Sequence, residues 1–336
     1  MENTVFNLIK KGKIKGFSSS PRMIETVISR VFIFDEDDTV LKFYKKDNDW
    51  WNTEMRDISE GAPRISFIRD DFEFNKFLNP KIYISLKVPI ISDGIVVLSE
   101  PKKDDDDLVI VMRKEDVSSV FTDVLWKGDL SSDEYREIGK SFAKIKLSIP
   151  RSFMPEEVPS WHEQARKRIE DVAGWVASEK DFPEKIAKKG MKILWNSIDS
   201  KKGHFDSIGK NDLFVSIDCN SENLIYSGKE LRFMDAYSPK ENWLTQTFDM
   251  DIFRVASDIY ALSGKDAYES YLSGVKEIAG EHMHDEAHEF YLFYGAMIMG
   301  PYFFMLSHKD KRYLPMAEKY LKFIADQINQ SKIAAS

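Results

Sequence analysis

The stretch FVSIDCNSENLIYSGKELRFMDAY, residues 214–237, places an acid, an amide and a second acid around a predicted hairpin. Asp218 and Asn223 are five positions apart, and Asp235 follows twelve residues later, at the end of the strand-like LRFMD. Ser227-Gly228 favours a tight turn between two short strands. Phosphoryl transfer needs a carboxylate that accepts the proton of an attacking hydroxyl and hard oxygen ligands for Mg²⁺. The spacing alone is common, but together with the hairpin it indicates such a site.

The segment from Met23 to Arg113 is predicted to be rich in strands. Its apolar residues form short runs separated by turn-like segments, and these runs are ETVISRVFIF (25–34), TVLKFYK (39–45), YISLKVPII (83–91), GIVVLSE (94–100) and LVIVMR (108–113). Tight, solvated connections favour an antiparallel meander over a parallel sheet. One exception is ISFIRDDFEFNKFLNP (65–80), whose apolar residues approach helical spacing before Pro80, so a single helix is expected between the strands.

After Lys114 the pattern becomes helical. Three-to-four spacing with Ser or Pro near the start marks residues 131–148, 160–179 and 183–198, and helices are expected again from about Asp249 to the end. Only LFVSID and the hairpin of the opening stretch interrupt them. The sequence therefore predicts a strand-rich first third followed by a helical remainder that carries the acid-amide-acid loop.

Composition narrows the class of protein. Of the 336 residues, 43% are hydrophobic, which is enough to form a core. The formal net charge of −8 argues against nucleic acid as a partner. Cys219 is the only cysteine in the sequence, which excludes an internal disulfide and suits a reducing compartment. We find no signal peptide and no uninterrupted apolar span, and FYLFYGAMIMGPYFFM is expected to be a buried helix too short to cross a membrane. A cytoplasmic protein without membrane contact is expected, and its oligomeric state stays open.

The sequence resembles the aminoglycoside phosphotransferase-like family of the protein kinase-like fold, closest to a bacterial branch of it. The loop around Asp218 is similar to the family's HGDxHxxN, DFEFNKFLNPKIY to ELxLNxxLxPxIY, and VIVMRK to VxMRR. The similarity spans roughly Glu25 to Met305. It implies an α+β, bilobal fold with a small antiparallel β N-lobe, containing one helix, and a larger helical C-lobe. The implied organisation is an N-terminal extension (1–22), a nucleotide-binding N-lobe (23–113), and a C-lobe with the catalytic loop and acceptor site (114–336).

The resemblance also assigns roles to individual residues. Asp218 matches the catalytic base, while Asn223 and Asp235 match the Mg²⁺ ligands. The remaining matched positions concern the nucleotide: Lys42 grips its phosphates, Asp71 pairs with that lysine, Met112 and Arg113 border the adenine pocket, and Ser29 or Thr26 supplies polar contacts. The implied cofactors are ATP and Mg²⁺, and the implied partner is a small-molecule acceptor with a hydroxyl group.

The loop departs from the family where Ser216 and Ile217 stand in place of His-Gly. A β-branched residue there is expected to displace the base, and positioning dominates this chemistry. Two hypotheses therefore stand: a phosphotransferase acting on a small molecule, and a catalytically weak or inactive nucleotide-binding pseudokinase with a regulatory role. A protein kinase or nucleotidyl transferase ranks below both, because no peptide-positioning segment is evident between Asp235 and Asp249.

Three other motifs are set aside. IGKSFAK lacks the first glycine of a phosphate-binding P-loop, since that position is Glu134. HMHDEAH has two histidines one turn apart, but the acid of a zinc-protease motif is misplaced, so an inter-helix or surface role is favoured for His284 and His288. Cys219 has no histidine nearby in the loop to activate it, so a packed cysteine is expected.

Overall fold

An antiparallel sheet and the helices packed on it form the first of two units. The computed structural model describes residues 2–116, 119–179, 182–238 and 240–333. The first unit comprises the described residues within 1–117 and 233–241, and the second comprises those within 118–232 and 242–336. The segment 233–241, which follows the predicted hairpin, thus belongs with the sheet rather than with the helices that surround it in sequence.

Among the described residues the sheet has six strands, and all of their pairings are antiparallel. They are β1 (Arg22–Glu25), β2 (Ser29–Phe34), β3 (Thr39–Tyr44), β4 (Tyr83–Ser92), β5 (Ile95–Ser99) and β6 (Val109–Arg113). The order is β1-β2-β3-β6-β4-β5, so the antiparallel prediction is confirmed, whereas the simple meander is wrong. β6 lies between β3 and β4, and its Val109 and Ile110 are fully buried, as suits a central strand.

Three helices accompany this sheet: α1 (Glu2–Lys10), α2 (Asp49–Glu54) and α3 (Gly61–Leu78). The predicted helix is α3, but a six-residue helix, α2, precedes it, so the expectation of a single helix between these strands is wrong. α2 is too short for its periodicity to be evident. The Asn48 side chain accepts a hydrogen bond from the Trp51 amide and caps it.

Alternation along the strands divides the core of the first unit between the two faces of the sheet. Leu41 and Phe43 pack with α1, through Val5, Phe6 and Ile9, on one face. Tyr44 and Ile110 pack with Phe67, Ile68 and Phe72 of α3 on the other. Because β-strand side chains alternate, Lys42 lies on the α3 face together with Tyr44. The residues before β1 therefore help to build this core.

The second unit is predominantly helical. Its helices are α4 (Phe121–Lys127), α5 (Ser132–Ser148), α6 (Trp161–Ser178), α7 (Glu184–Ser200), α8 (Lys202–Ser207), α9 (Phe248–Ser263), α10 (Lys265–Ala279), α11 (His288–Lys309) and α12 (Leu314–Ile333). Ser131 and Ser160 form capping boxes with Glu134 and Glu163, which is why α5 and α6 begin where the sequence predicts.

Short strands flank the loop that carries Asp218. β7 (Leu213–Val215) pairs with β10 (Thr245–Thr247), while β8 (Leu224–Ser227) and β9 (Glu230–Phe233) form the predicted hairpin. Gly228 and Lys229 both have positive φ, +59° and +65°, as a two-residue type I′ turn requires.

Helix α11 forms part of the core of the second unit. Among the described residues, the stretch Asp285–Lys309 has the length and composition of a membrane-spanning helix, but 72% of its apolar window is buried in the structure. Its residues pack against α9 and α12. The expectation that this segment is a buried helix is confirmed. The reason given for it was wrong, because a helix of 22 residues is long enough to cross a membrane.

Candidate functional site

Lys42 lies at the centre of a buried polar cluster in the first unit. Its side chain is only 4% exposed, yet its Nζ donates a hydrogen bond to Asp235 Oδ1 at 2.6 Å. The ammonium also lies 4.7 Å from the centre of the Tyr44 ring. Burial lowers the pKa of Lys42, but the Asp235 carboxylate, together with Tyr44, Asp71 and Tyr83, outweighs burial, so the pKa is raised well above its usual value. Lys42 is therefore a buried side chain that keeps its charge.

Asp235 is brought to Lys42 by polar side chains of α3 and β4. Asn75 Oδ1 accepts from the Ala236 amide at 2.9 Å, and Asn79 Nδ2 donates to the Phe233 carbonyl. The Tyr83 hydroxyl accepts from the Asp235 amide at 3.2 Å. Asp235 itself has φ of +51°, a left-handed conformation that aspartate tolerates better than most residues. The backbone is thus held so that the Asp235 side chain, 56% exposed, keeps one oxygen on Lys42.

Asp71 does not make the predicted ion pair with Lys42. Its Oδ1 accepts from Asn75 Nδ2 at 2.9 Å, one turn along α3, and the Lys42 ammonium pairs with Asp235 instead. The short aspartate side chain explains the difference, because it lacks the methylene by which glutamate would reach further. Burial raises the pKa of Asp71 to about 6, opposed by the nearby charge of Lys42. Asp71 therefore interacts with Lys42 through electrostatic attraction and not through a direct ion pair.

The other residues assigned to the nucleotide lie in the same unit. Ser29 is buried, and its hydroxyl lies 2.8 Å from Thr26 Oγ1, so both side chains close the turn between β1 and β2. Met112 is half-buried at the end of β6 against the α3 side of the core. Arg113 is exposed, 3.9 Å from Asp38. Ser29 is thus engaged in a turn, and Arg113 extends to the surface.

The loop with Asp218 belongs to the second unit. Asp218 is 23% exposed at its side chain, and its Oδ1 accepts a hydrogen bond from Arg254 Nη1 at 2.8 Å. Asn223 Nδ2 donates a hydrogen bond to the Asp218 carbonyl at 3.3 Å, so the loop between these two residues turns back on itself. The structure therefore brings Asp218 and Asn223 together, as their spacing suggests.

Ile217 is fully buried and serves as an anchor of this loop. Its amide donates to both carboxylate oxygens of Asp251, at 3.2 and 3.1 Å, while the Ser216 amide donates to the Leu244 carbonyl at 2.8 Å. Asp251 in turn accepts from the buried Lys146 and from Gln246. The β-branched residue thus points into the core beneath the loop.

One face of α9 carries the supports of the loop. Asp251, Arg254 and Asp258 are three and four positions apart, so they lie on the same side of the helix. They contact the Ile217 amide, the Asp218 carboxylate and the Ser221 amide, the last at 2.7 Å. Burial raises the pKa of Asp251 and of Asp258. Helix α9 therefore holds the loop at Ile217, Asp218 and Ser221.

Sequence reasoning missed these supports. A signal was present, since α9 places two acids and an arginine at helical spacing within an otherwise apolar, almost wholly buried helix. Charged residues at core positions are rare unless they are paired, so DxxRxxxD on a buried helix points to partners elsewhere.

The motifs that the sequence analysis set aside have structural roles. Gly139 of IGKSFAK lies inside α5, where a Cβ would fall 2.1 Å from the Tyr271 carbonyl, so it permits close packing with α10. His284 and His288 both lie beside the buried Asp249, with His284 Nδ1 at 2.7 Å. Cys219 is buried, and burial raises the pKa of its thiol. Within the described ranges, no group of three or more His, Cys, Asp or Glu has the geometry of a metal site.

The donor atoms that remain open suit Mg²⁺ and phosphate. Among the described residues, Asp235 Oδ2 and Asn223 Oδ1 have no hydrogen-bond partner, and both are hard oxygen ligands. The contact of Asn223 with a carbonyl requires the amide nitrogen there, which leaves its oxygen free. Lys42 supplies a positive charge. Lys42 and Asp235 of the first unit and Asn223 of the second each have the chemistry of a ligand for phosphate or Mg²⁺.

Comparison with solved structures decides the fold. A choline kinase from Streptococcus pneumoniae matches with a TM-score of 0.54 and 12% identity, covering 96% of this chain and 98% of the other. The chain has the aminoglycoside phosphotransferase-like, protein kinase-like fold. A glucosamine kinase solved with glucosamine, ADP and inorganic phosphate gives 0.52 at 12% identity, over 99% of this chain and 87% of the other.

An aminoglycoside phosphotransferase solved with GDP and kanamycin gives a TM-score of 0.51 at 10% identity, covering 97% of this chain and 98% of the other. No protein family model and no curated protein sequence matches the chain. At 10 to 12% identity these likenesses establish the fold, and the expected α+β, bilobal class with an antiparallel sheet and a helical part is confirmed.

Proposed function

We propose that this protein is a cytoplasmic, ATP- and Mg²⁺-dependent phosphotransferase that moves the terminal phosphate of ATP to a hydroxyl group of a small molecule. The observation that carries the proposal is the loop of the second unit, where Asp218 is half-buried, held by Arg254 and closed by Asn223. Its fold is shared with kinases whose names specify small acceptors, choline, glucosamine and aminoglycosides.

Each residue has a separate chemical task in this proposal. Asp218 accepts the proton of the acceptor hydroxyl as the new oxygen–phosphorus bond forms and the bond to the bridging oxygen of ADP breaks. Lys42 binds phosphate oxygens, while Asp235 and Asn223 each offer an oxygen to Mg²⁺, which when bound would neutralise the charge of the phosphates. Met112 is proposed to border the adenine. Arg113 and Ser29 were assigned with it, and we keep them as weaker candidates, since one is exposed and the other closes a turn.

We propose that the two lobes have separate roles. We assign nucleotide binding to the N-lobe, residues 23–113, and the catalytic loop and acceptor binding to residues 114–336. The first 22 residues were expected to be an extension; α1 packs on the sheet, so its task is structural.

Transfer of labelled terminal phosphate from ATP to a library of small hydroxyl compounds tests this function. The wild-type protein is expected to label at least one compound in a Mg²⁺-dependent way. Lys45→Met serves as a control for Lys42→Met, because Lys45 follows β3 but pairs with Glu25. A result in which Lys42→Met transfers phosphate as fast as Lys45→Met would contradict the assignment of Lys42.

A second candidate is a pseudokinase that binds nucleotide without transferring phosphate. Two observations favour it: Lys42 is engaged by Asp235, and Asp71 does not pair with Lys42. Isothermal titration with ATP and Mg²⁺, beside the transfer assay, separates the candidates. Binding with no labelled product from any compound would favour the pseudokinase.

A further inference from the structure

Asp218 is held by an arginine that the sequence analysis did not single out. Arg254 Nη1 lies 2.8 Å from Asp218 Oδ1, and Arg254 is 8% exposed. Burial disfavours a charged guanidinium, but the Asp218 carboxylate, together with Tyr294, Cys219 and Asp251, outweighs burial and raises the pKa of Arg254. The two groups therefore form a charge-assisted hydrogen bond, which is shorter and stronger than a neutral one.

The position of Arg254 is itself fixed. It lies on α9 between Asp251 and Asp258. Their carboxylates accept hydrogen bonds from the amides of Ile217 and Ser221, which lie on either side of Asp218 in the sequence. The chain on both sides of the acid is therefore attached to the same helix face that presents the guanidinium. A shift of the loop backbone relative to Arg254 would have to break at least one of these two contacts.

We propose that Arg254 is a positioning residue that sets the orientation of the Asp218 carboxylate, in a loop that has Ser216-Ile217 at the positions before the acid. The proposal rests on the proposed function, since it gives Arg254 a role in phosphoryl transfer through Asp218. Arg254 is not assigned a contact with substrate.

The geometry divides the two oxygens of Asp218 between two tasks. Oδ1 is bound to Arg254, and Oδ2 has no hydrogen-bond partner among the described residues. A carboxylate with one oxygen fixed cannot rotate freely about its side-chain bonds, so its second oxygen keeps one direction. A base in phosphoryl transfer works mainly by position, and a displacement of about 1 Å costs on the order of 100-fold in rate.

A purely structural ion pair is the alternative role for Arg254. Removal of one partner of a buried pair is destabilising because it leaves the other charge uncompensated. Such a role predicts loss of folded protein and no specific change in the turnover of the molecules that remain folded. Arg168 offers a matched control in the same unit, since it is a buried arginine, 2% exposed, that donates to the backbone carbonyls of Trp243 and Thr245.

The test compares Arg254→Gln, Arg254→Lys and Arg168→Gln, with rates expressed per folded molecule from thermal unfolding curves. We expect Arg254→Gln to lower kcat by roughly 30- to 100-fold with KM for ATP changed by less than about twofold. Arg254→Lys keeps the charge without the fork of a guanidinium, and is expected to recover part of this loss. Arg168→Gln is expected to lose thermal stability while keeping kcat per folded molecule.

A kinetic double-mutant cycle provides the decisive readout. If Arg254 acts through Asp218, Arg254→Gln has no further effect on kcat once Asp218→Asn is present. Equal kcat in wild type and Arg254→Gln, or fully additive losses in the cycle, would overturn the positioning role while leaving the proposed function intact. Absence of transfer by the wild-type protein would overturn the proposed function, and the positioning role of Arg254 with it.

Discussion

Lys42 Nζ lies 2.6 Å from Asp235 Oδ1, so the residue assigned to phosphate and a residue assigned to metal neutralise each other. The pair is asymmetric, because Lys42 is 4% exposed and Asp235 is 56% exposed at its side chain. A buried cation that loses its carboxylate needs another anion, and a phosphate provides one. The ion pair with Asp235 therefore keeps Lys42 charged and oriented before a nucleotide binds.

Replacement of Lys42 by methionine should weaken ATP binding. The variant keeps an unbranched side chain but removes the ammonium beside the Tyr44 ring and with it a charged hydrogen bond to phosphate, which contributes ~2 kcal/mol, so we expect the Kd for ATP to rise about 10- to 100-fold. Isothermal titration measures it, with Lys45→Met as the matched control. An unchanged Kd in Lys42→Met would show that Lys42 does not contact the nucleotide.

Replacement of Asp235 by asparagine should abolish the Mg²⁺ dependence of ATP binding. The amide is a weaker ligand for a hard cation than a carboxylate, and it no longer neutralises Lys42. We therefore expect ATP affinity without Mg²⁺ to stay equal or increase, and the gain on adding Mg²⁺ to shrink by about tenfold or more. Titrations with and without EDTA measure both. A gain on adding Mg²⁺ that matches the wild type would remove Asp235 from the metal site.

The pKa of Asp71 makes stability depend on pH. Burial raises this pKa from its ordinary 3.8 to about 6, so the folded protein holds a proton that the unfolded chain releases. Stability from this group is therefore fully present below about pH 4 and falls as pH rises toward about 6. The difference corresponds to ~3 kcal/mol at 1.36 kcal/mol per pKa unit.

Asp71→Asn is expected to remove this dependence. Relative to the wild type, its free energy of unfolding should improve by up to ~3 kcal/mol between about pH 4 and pH 7. Urea unfolding at several pH values measures it, and Asp70→Asn on the exposed side of α3 is the control. Parallel pH profiles for wild type and Asp71→Asn would contradict the burial of an uncompensated carboxyl at this position.

The buried Lys146 is expected to stabilise the loop through Asp251. Lys146→Met leaves the Asp251 carboxylate with the Ile217 amide and Gln246 but without its ammonium partner, and breaking a buried pair in this way costs ~3 to 5 kcal/mol. The double variant Lys146→Met/Asp251→Asn removes the uncompensated charge and should recover part of that loss. Thermal unfolding of the single and double variants measures both; additive losses would argue against a coupled pair.

Much of the fold followed from periodicity in the sequence. The strands at 29–34, 39–44 and 83–92, the capped helices α5 and α6 and the hairpin after Asn223 all have local signals. The position of β6 between β3 and β4 has none, because strand order depends on which faces are buried by tertiary packing. The same is true of α2, which is only six residues long.

The site was predictable to a similar degree. Spacing indicated that Asp218 and Asn223 would meet, and the resemblance supplied Lys42 and Asp235. Sequence spacing does not show which of two carboxylates forms an ion pair with a lysine, because that depends on the lengths of the side chains. The pairing of Lys42 with Asp235 and not with Asp71 was therefore not predicted. Arg254 was overlooked because its partner lies 36 residues away in sequence.

In the proposed reaction, Asp218 accepts the proton of an acceptor hydroxyl. The most direct measurement is the rate of Mg²⁺-dependent transfer of labelled terminal phosphate from ATP to an acceptor by Asp218→Asn, beside its ATP affinity and unfolding temperature. We predict that the rate falls about 100-fold or more while ATP affinity stays within about threefold of the wild type. Transfer by Asp218→Asn at the wild-type rate would contradict the account.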